Sequence, residues 1–112
     1  MPFQGECPFL MPLKCWYVYI LSSLSGTLYV GMTDDLRHRM SQHKLELIDG
    51  FTKKYKINRL MYFEILQNQR KAAAREQQIK KYRREKKIAL FTPTNPHWKD
   101  LTEDINKTWA ML

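Results

Sequence analysis

The chain has 112 residues, a length that suits one domain and is not comfortable for two. Its hydrophobic fraction of 44% is typical of a globular protein whose core needs no disulfide or structural metal to fold. Nineteen Lys and Arg residues against eleven Asp and Glu residues leave a net charge of +8, which favours a polyanionic partner such as nucleic acid. No apolar run approaches the roughly 20 residues of a spanning helix, so we expect no membrane partner.

The N-terminal residues 1–12 contain three prolines and lack the long apolar core of a secretory signal, so we expect them to form a flexible extension. Cys7 and Cys15 are the two cysteines, and no second Cys or His pair lies at zinc-ligand spacing. Two isolated thiols are typical of a reduced, cytoplasmic protein, whereas a disulfide between them would require secretion.

The first half of the chain begins with two strand signals. Residues 14–21 are rich in aromatic and β-branched side chains, and a turn at residues 22–26 separates them from a second strand at residues 27–30. The pair predicts a β-hairpin whose second strand ends at Gly31. Odd-numbered and even-numbered residues of the first strand form two faces that are both apolar, so we expect the sheet to be covered on both sides.

A first helix is predicted over residues 35–47, where Leu36, Met40 and His43 fall on one stripe. A basic connector at residues 52–58 follows it.

A third strand at residues 60–66 and a long helix over residues 69–87 complete the main pattern. Prolines then stop regular structure. In the tail, apolar residues have a spacing compatible with a short helix that packs back on the domain: Trp98, Leu101, Ile105 and Trp109.

The order β-β-α-β-α followed by a tail predicts an α+β fold, with a small three-stranded, largely antiparallel sheet flanked by helices. We expect three segments: an extension at residues 1–12, a domain at residues 13–91, and a tail at residues 92–112 that packs on the domain.

The predicted second helix carries an isolated carboxylate. Ala72, Glu76, Ile79 and Arg83 share one helix face, which should meet the sheet. A carboxylate on that face needs a cation or a metal, and an ordinary ion pair with a neighbouring Arg or Lys is the alternative.

Four further side chains are candidates for chemistry. Arg39 and His43 lie four residues apart on the first helix, and a half-buried Arg beside a sheet suits fork-like binding of phosphate or carboxylate. Tyr19 and Tyr29 lie near the ends of the two hairpin strands, so their hydroxyls can converge on one face. Each residue alone is explained by packing, and only their order along the chain indicates function.

That order resembles the GIY-YIG nuclease family. Tyr17-Val18-Tyr19 stands where the family has Gly-Ile-Tyr, so Tyr17 departs from the motif, and Tyr29-Val30-Gly31 stands where it has Tyr-Ile-Gly. Residues 32–43 follow the family's next segment, and residues 71–81 resemble its glutamate-bearing helix. The resemblance covers about residues 15–91 and is closest to the small, stand-alone members. Asn95 is the nearest candidate for an Asn that helps to hold the phosphate in some members.

The resemblance implies an endonuclease that hydrolyses DNA phosphodiester bonds with one divalent cation, Mg²⁺ or Mn²⁺, in DNA repair or recombination. It implies Glu76 as the metal ligand, Arg39 as the clamp on the scissile phosphate, and Tyr19 as the general base. Tyr29 would position water or share the proton, and His43 would orient a tyrosine or transfer a proton. We expect Arg39 and the metal to lower the pKa of Tyr19.

A basic surface is expected to bind the DNA backbone and to recognise the structure of the DNA rather than its base sequence. Its candidate residues are Lys53, Lys54, Lys56, Arg75, Lys80 and Arg83. Two alternatives stay open. One is a non-catalytic nucleic-acid-binding module that keeps the fold. The other is an adaptor that contacts a larger protein partner through Trp98 and Trp109.

Overall fold

The fold was obtained as a computed structural model, which describes residues 15–48 and 50–110. The elements in chain order are β1 (Trp16–Ser22), β2 (Leu28–Thr33), α1 (Leu36–Lys44), α2 (Phe51–Lys54), β3 (Arg59–Leu66), α3 (Gln69–Lys80), α4 (Arg84–Phe91) and α5 (Thr102–Ala110). The α+β class and the order β-β-α-β-α are confirmed. The expectations for residues 1–12 and for the side chain of Trp109 lie outside the described residues.

The three strands form one antiparallel sheet with the order β2-β1-β3. Tyr19 of β1 is paired with Gly31 of β2 on one side and with Phe63 of β3 on the other, and Leu21 is paired with Tyr29. The most apolar strand, β1, is therefore central and almost wholly buried, as its sequence pattern requires.

Two buried clusters lie on opposite faces of the sheet. The first, here called the tyrosine face, joins the odd-numbered β1 residues to α1 and α5: Tyr17, Tyr19, Leu21, Leu36, Met40, Ile57, Leu60 and Ile105. The second, the valine face, joins the even-numbered β1 residues to α3 and α4: Val18, Ile20, Val30, Met61, Ala72, Ile79 and Phe91. Helices cover both faces, as the alternation in β1 predicted.

Helix α1 buries the predicted stripe of Leu36, Met40 and His43. It begins after Asp35, whose carboxylate accepts a hydrogen bond from the His38 backbone N–H at 3.1 Å. The predicted basic connector contains a short helix, α2, and is therefore more regular than expected.

The predicted helix over residues 69–87 is wrong, because two helices occupy this segment. Helix α3 ends at Lys80, and Arg83 has the extended backbone of an N-cap before α4 begins. A straight helix reaching Phe91 would be about 34 Å long, whereas the eight residues of β3 span about 26 Å. The break lets Phe91 return to the valine face, and it takes Arg83 off the face that carries Glu76.

The predicted end of β2 at Gly31 is also wrong. The strand continues to Thr33, and Gly31 lies within the ladder opposite Tyr19.

The segment after α4 contacts the outer edge of β3. The Leu101 N–H donates to the Leu60 carbonyl at 2.9 Å, and the Asp100 carboxylate accepts from the Leu60 N–H at 3.1 Å. Lys44 of α1 forms an ion pair with the same carboxylate. Ile105 of α5 is buried in the tyrosine face. Among the described residues, no helix has the length and apolar character needed to cross a bilayer.

Candidate active site

Three aromatic rings from three elements meet on the tyrosine face. Tyr19 of β1 and Tyr29 of β2 have ring centroids 6.5 Å apart, and the His43 ring of α1 lies 6.1 Å and 6.2 Å from them. The Tyr19 Oη lies 3.5 Å from His43 Nε2. The structure thus brings together three residues that are up to 24 positions apart in the chain.

Gly31 makes this arrangement possible. A Cβ atom at position 31 would lie 2.5 Å from the Tyr19 Oη and 2.6 Å from its Cζ, distances that real Cβ atoms do not show. The absent side chain lets the phenol lie across the backbone of the edge strand β2. The sequence motif contained this glycine, but its role as space for Tyr19 depends on the strand register and was missed.

Arg39 and Glu76 act on the Tyr19 phenol from α1 and α3. Burial raises the pKa of Tyr19 well above its ordinary value, and the charge of Tyr29 raises it further. Arg39 opposes this through its charge and a hydrogen bond, while Glu76 adds a small raising effect. The expected direction for Arg39 is confirmed, but the net lowering expected for Tyr19 is wrong for the protein alone, because burial outweighs Arg39. Tyr19 therefore holds its proton at neutral pH.

His43 is the side chain that lies beside the Tyr19 hydroxyl and complements it in proton transfer. Its side chain is 5% exposed, and burial followed by the charge of Arg39 lowers its pKa to about 4. The imidazole is therefore neutral at physiological pH. Within the described part of the chain, its Nδ1 atom is buried and has no hydrogen-bond partner. A neutral imidazole beside a protonated phenol can accept a proton from it.

Glu76 is a partly buried carboxylate on α3 that forms an ion pair with Lys80 of the next turn, at 3.6 Å. Among residues 15–48 and 50–110, no group of three or more His, Cys, Asp and Glu side chains could hold a metal ion. A single carboxylate still fits Mg²⁺, which takes one or two protein carboxylates and fills its other positions with water and substrate phosphate. The donor set is consistent with an ion held jointly by protein and substrate.

A model of the GIY-YIG catalytic domain matches residues 15–89 of the chain. The chain belongs to the GIY-YIG family. The match includes β1, β2, α1, β3, α3 and most of α4, and so contains every residue of the cluster just described. Membership places the chain among nuclease-type hydrolases, whose substrates are nucleic acids.

Small relatives share this domain. A UPF0213 protein of Clostridium perfringens is 33% identical over 90 residues, which are 80% of this chain and 97% of that protein. A UPF0213 protein of Staphylococcus aureus is 34% identical over 75 residues, 67% of this chain and 92% of that protein. The solution NMR structure of a UPF0213 protein from Bacillus halodurans has a TM-score of 0.50 at 26% identity, and covers 80% of this chain and 95% of that one. The predicted resemblance to small GIY-YIG members is confirmed.

The six candidate DNA-binding residues of this GIY-YIG domain lie in different settings. Lys53, Lys54 and Lys56 are exposed on and after α2, and Arg83 is exposed before α4. Lys80 is exposed on α3 beside Glu76.

Arg75 does not fit the prediction of a DNA-binding residue, because its guanidinium is already bound. It donates to the two Glu64 carboxylate oxygens at 2.9 Å and 2.8 Å, and also contacts Gln78 and Tyr82. The Tyr62 hydroxyl donates to Glu64 at 2.5 Å. Burial acts to raise the pKa of Glu64, but the hydrogen bonds from Arg75 and Tyr62 outweigh it and hold the pKa below its ordinary value. Sequence reasoning missed this clamp between β3 and α3, although one acid within an apolar strand was a signal for it.

Asn95 serves the backbone rather than the active site. Its side-chain amide donates to the Met61 and Lys99 carbonyls, and its Oδ1 accepts from the Lys99 N–H at 2.8 Å. Since these bonds use the buried amide, Asn95 is unsuited to the phosphate role suggested by the resemblance.

A groove of about 730 Å³ between α1 and α5 is separate from the aromatic cluster. It is lined by Arg37, His38, Ser41, Lys44, Leu45, Thr102, Asn106 and Lys107. None of these side chains is a member of the Tyr19 cluster, so the groove and the candidate active site are separate features.

Proposed function

We propose that this GIY-YIG protein is a divalent-metal-dependent endonuclease that hydrolyses DNA phosphodiester bonds in DNA repair or recombination. The observation that carries the proposal is the convergence around one hydroxyl: Tyr29, Arg39, His43 and Glu76 all lie within contact or electrostatic reach of Tyr19. They come from β2, α1 and α3, so no single helix or strand pattern accounts for their meeting.

Tyr19 and His43 are suited to move a proton together. In this scheme the attacking water gives its proton to the Tyr19 Oη while the phenol gives its own proton to His43 Nε2. The hydroxide oxygen bonds to phosphorus, and the bond from phosphorus to the leaving oxygen breaks. Tyr19 is never a free phenolate, which suits a phenol whose pKa is raised by burial.

Arg39 links substrate binding to this proton transfer. Its charge contributes to the low pKa of His43. When Arg39 binds the scissile phosphate, the phosphate charge offsets the guanidinium charge, and His43 becomes a better proton acceptor. Arg39 would also stabilise the negative charge that develops on the phosphoryl oxygens.

Glu76 would hold the divalent cation with water and phosphate oxygens. When bound, such a cation stabilises the charge on the leaving oxygen. The Lys80 Nζ lies 3.6 Å from the Glu76 carboxylate and Lys80 is the more exposed member of the pair, so Lys80 can give way to a cation.

The test is a nuclease panel over flap, branched, nicked and linear DNA with Mg²⁺ or Mn²⁺. We expect cleavage by the full chain and a loss of at least roughly 100-fold for Glu76→Gln. Glu85→Gln is the matched control, because Glu85 is an exposed acid on α4. If all substrates stay intact with both metals, the proposal fails. If cleavage persists in Glu76→Gln, the activity belongs to a contaminant or to another site.

The alternative is a binding module without catalysis, and the raised pKa of Tyr19 is the observation that favours it. It predicts salt-sensitive DNA binding with no turnover and no dependence on Glu76 or metal. The endonuclease proposal also includes a protein partner, a cytoplasmic location and the recognition of DNA by its structure rather than its sequence. It further includes the division of the chain into an extension at residues 1–12, a domain at residues 13–91 and a tail at residues 92–112.

A further inference from the structure

The segment between α1 and β3 presents two aromatic rings that the active site does not use. Phe51 is 50% exposed and Tyr55 is 48% exposed. Their ring centroids are 4.8 Å apart at an angle of 52°, since residues four apart share one side of a helical turn. Each ring covers part of the other and leaves the rest of its surface in solvent.

Lysines surround these rings. Lys53, Lys54 and Lys56 are exposed, and the Lys54 Nζ lies 5.3 Å from the centroid of the Tyr55 ring. Lys56 has a distant pair with Glu46 at 3.7 Å, and its side chain remains 75% exposed. We call these five residues, Phe51, Lys53, Lys54, Tyr55 and Lys56, the stacking platform. It combines flat apolar surface with a charge of +3.

The platform is fixed to the same sheet face as the active site. Thr52 is buried between its exposed neighbours, and its carbonyl accepts from the Ile57 N–H at 2.9 Å. Ile57 is fully buried in the cluster that contains Tyr19. The Phe51 carbonyl accepts from the Tyr55 N–H at 3.1 Å, which holds the two ring-bearing residues in one turn.

We propose that unpaired bases of single-stranded DNA stack on Phe51 and Tyr55 while the three lysines contact the adjacent phosphates. The proposal rests on the proposed function and names the substrate feature that the same protein would hold. Base stacking on aromatic side chains with lysines along the backbone is how sequence-tolerant single-strand binding works. A duplex hides the faces of its bases within its own stack, so the platform discriminates between paired and unpaired DNA.

The experiment measures binding by fluorescence anisotropy in EDTA, so that no metal-dependent cleavage occurs. The probes are a labelled 20-nucleotide mixed-sequence single strand and a labelled hairpin duplex. The proteins are the full-length wild type, Phe51→Ala, Tyr55→Ala, Phe51→Tyr and the lysine variant Lys54→Gln. Leu24→Ala is the matched control, because Leu24 is an exposed apolar residue in the β1–β2 turn and outside the platform.

We expect Phe51→Ala and Tyr55→Ala each to weaken single-strand binding by roughly fivefold to a hundredfold and duplex binding by less than about twofold. Phe51→Tyr keeps a ring and should bind like the wild type, as should Leu24→Ala. Lys54→Gln should reduce the slope of log affinity against log salt by about 0.7, whereas the ring variants should leave that slope unchanged. A 2-aminopurine placed within the single strand should change its fluorescence on binding to the wild type and not to Phe51→Ala.

Equal losses on single-stranded and duplex DNA, or a loss below about twofold on both, would overturn the proposal. So would binding to anionic lipid vesicles that depends on Phe51 without binding to the oligonucleotides, because it would assign the platform to a membrane surface. These results are separable from the nuclease panel. If cleavage depends on Glu76 but single-strand binding does not depend on Phe51, the platform proposal fails and the nuclease proposal stands. If single-strand binding depends on Phe51 but no Glu76-dependent cleavage is seen, the protein is a single-strand-binding protein and the nuclease proposal fails.

Discussion

Gly31→Ala is the substitution whose effect the structure defines most sharply. The new Cβ would meet the Oη, Cζ and Cε1 atoms of Tyr19 at 2.5, 2.6 and 3.0 Å. Tyr19 is about 1% exposed and packed on the tyrosine face, so its ring has little room to move. The β2 backbone on the other side is held by its ladder with β1.

Two contributions determine how much stability the Gly31→Ala protein should lose. Overpacking of a filled core costs about 1–3 kcal/mol. Displacement of the phenol also breaks its contact with His43 Nε2 at 3.5 Å, and the loss of one neutral hydrogen bond costs about 0.5–1.5 kcal/mol. We expect a total loss of about 2–4 kcal/mol in the free energy of unfolding. For a domain of this size, that loss lowers Tm by about 8–16 °C.

The assay is urea denaturation followed by circular dichroism, with Tyr19→Phe and the double variant measured beside Gly31→Ala. Tyr19→Phe alone should lose about 1 kcal/mol, because it removes the hydroxyl that contacts His43. In the Gly31→Ala protein the same change removes the contact with Oη at 2.5 Å but keeps the contact with Cζ at 2.6 Å, so it should cost less than it does in the wild type. If Tyr19→Phe costs as much in both backgrounds, or if Gly31→Ala costs less than about 0.5 kcal/mol, the steric reasoning is refuted.

Three further results follow from the charged groups. The pKa of His43 is about 4 in the folded protein and about 6.5 in the unfolded chain, so protonation of His43 favours the unfolded state. The contribution of His43 to the free energy of unfolding is therefore complete above pH 6.5 and falls by about 2 kcal/mol between pH 7 and pH 5. Urea titrations at the two pH values should show this loss in the wild type and not in His43→Gln. Glu64→Gln should cost about 1–3 kcal/mol by weakening the Arg75 clamp, with DNA affinity unchanged in a binding titration. Asp100→Ala, which loses its bonds to Leu60 and Lys44, should cost about 1–3 kcal/mol by thermal melting.

The sheet was predictable because its signal is local. Side chains in β1 alternate with a period of two, and the apolar character of both alternating sets requires cover on both faces. Helix packing confirmed this directly. The break between α3 and α4 has no such signal, since residues 80–87 contain neither Gly nor Pro and are mostly charged. The break depends on where Phe91 can enter the core, which only the assembled structure determines.

The convergence of the candidate side chains could be predicted from the sequence, and their protonation could not. The motif order placed Tyr19, Tyr29 and His43 in one group, and the structure brings their rings together. The direction of the Tyr19 pKa depends on burial, which exceeds the influence of Arg39. Burial of a single hydroxyl is a property of packing, so a list of nearby charges in the sequence does not determine it.

Arg75 and Glu76 show most directly what the spacing of residues along a helix cannot predict. They are adjacent on α3, and a charge count treats them as one basic and one acidic surface residue. Adjacent positions on a helix differ by about 100° in direction. Arg75 turns to β3, where it clamps Glu64, and Glu76 lies where its charge acts on Tyr19. Arg75 thus stabilises the packing of α3 on the valine face, whereas the adjacent Glu76 acts on Tyr19 of the tyrosine face.

This division places the two charged groups of the candidate site on helices that cover opposite faces of the sheet. Tyr19 lies across β2, an edge strand, and only the missing side chain of Gly31 makes room for it. Arg39 lies on α1, which packs on the tyrosine face, and Glu76 lies on α3, which packs on the valine face. A DNA backbone would supply the phosphate oxygens that a single carboxylate cannot provide to a cation. Because the substrate completes the site, binding of DNA and binding of the divalent cation should strengthen each other by the same factor.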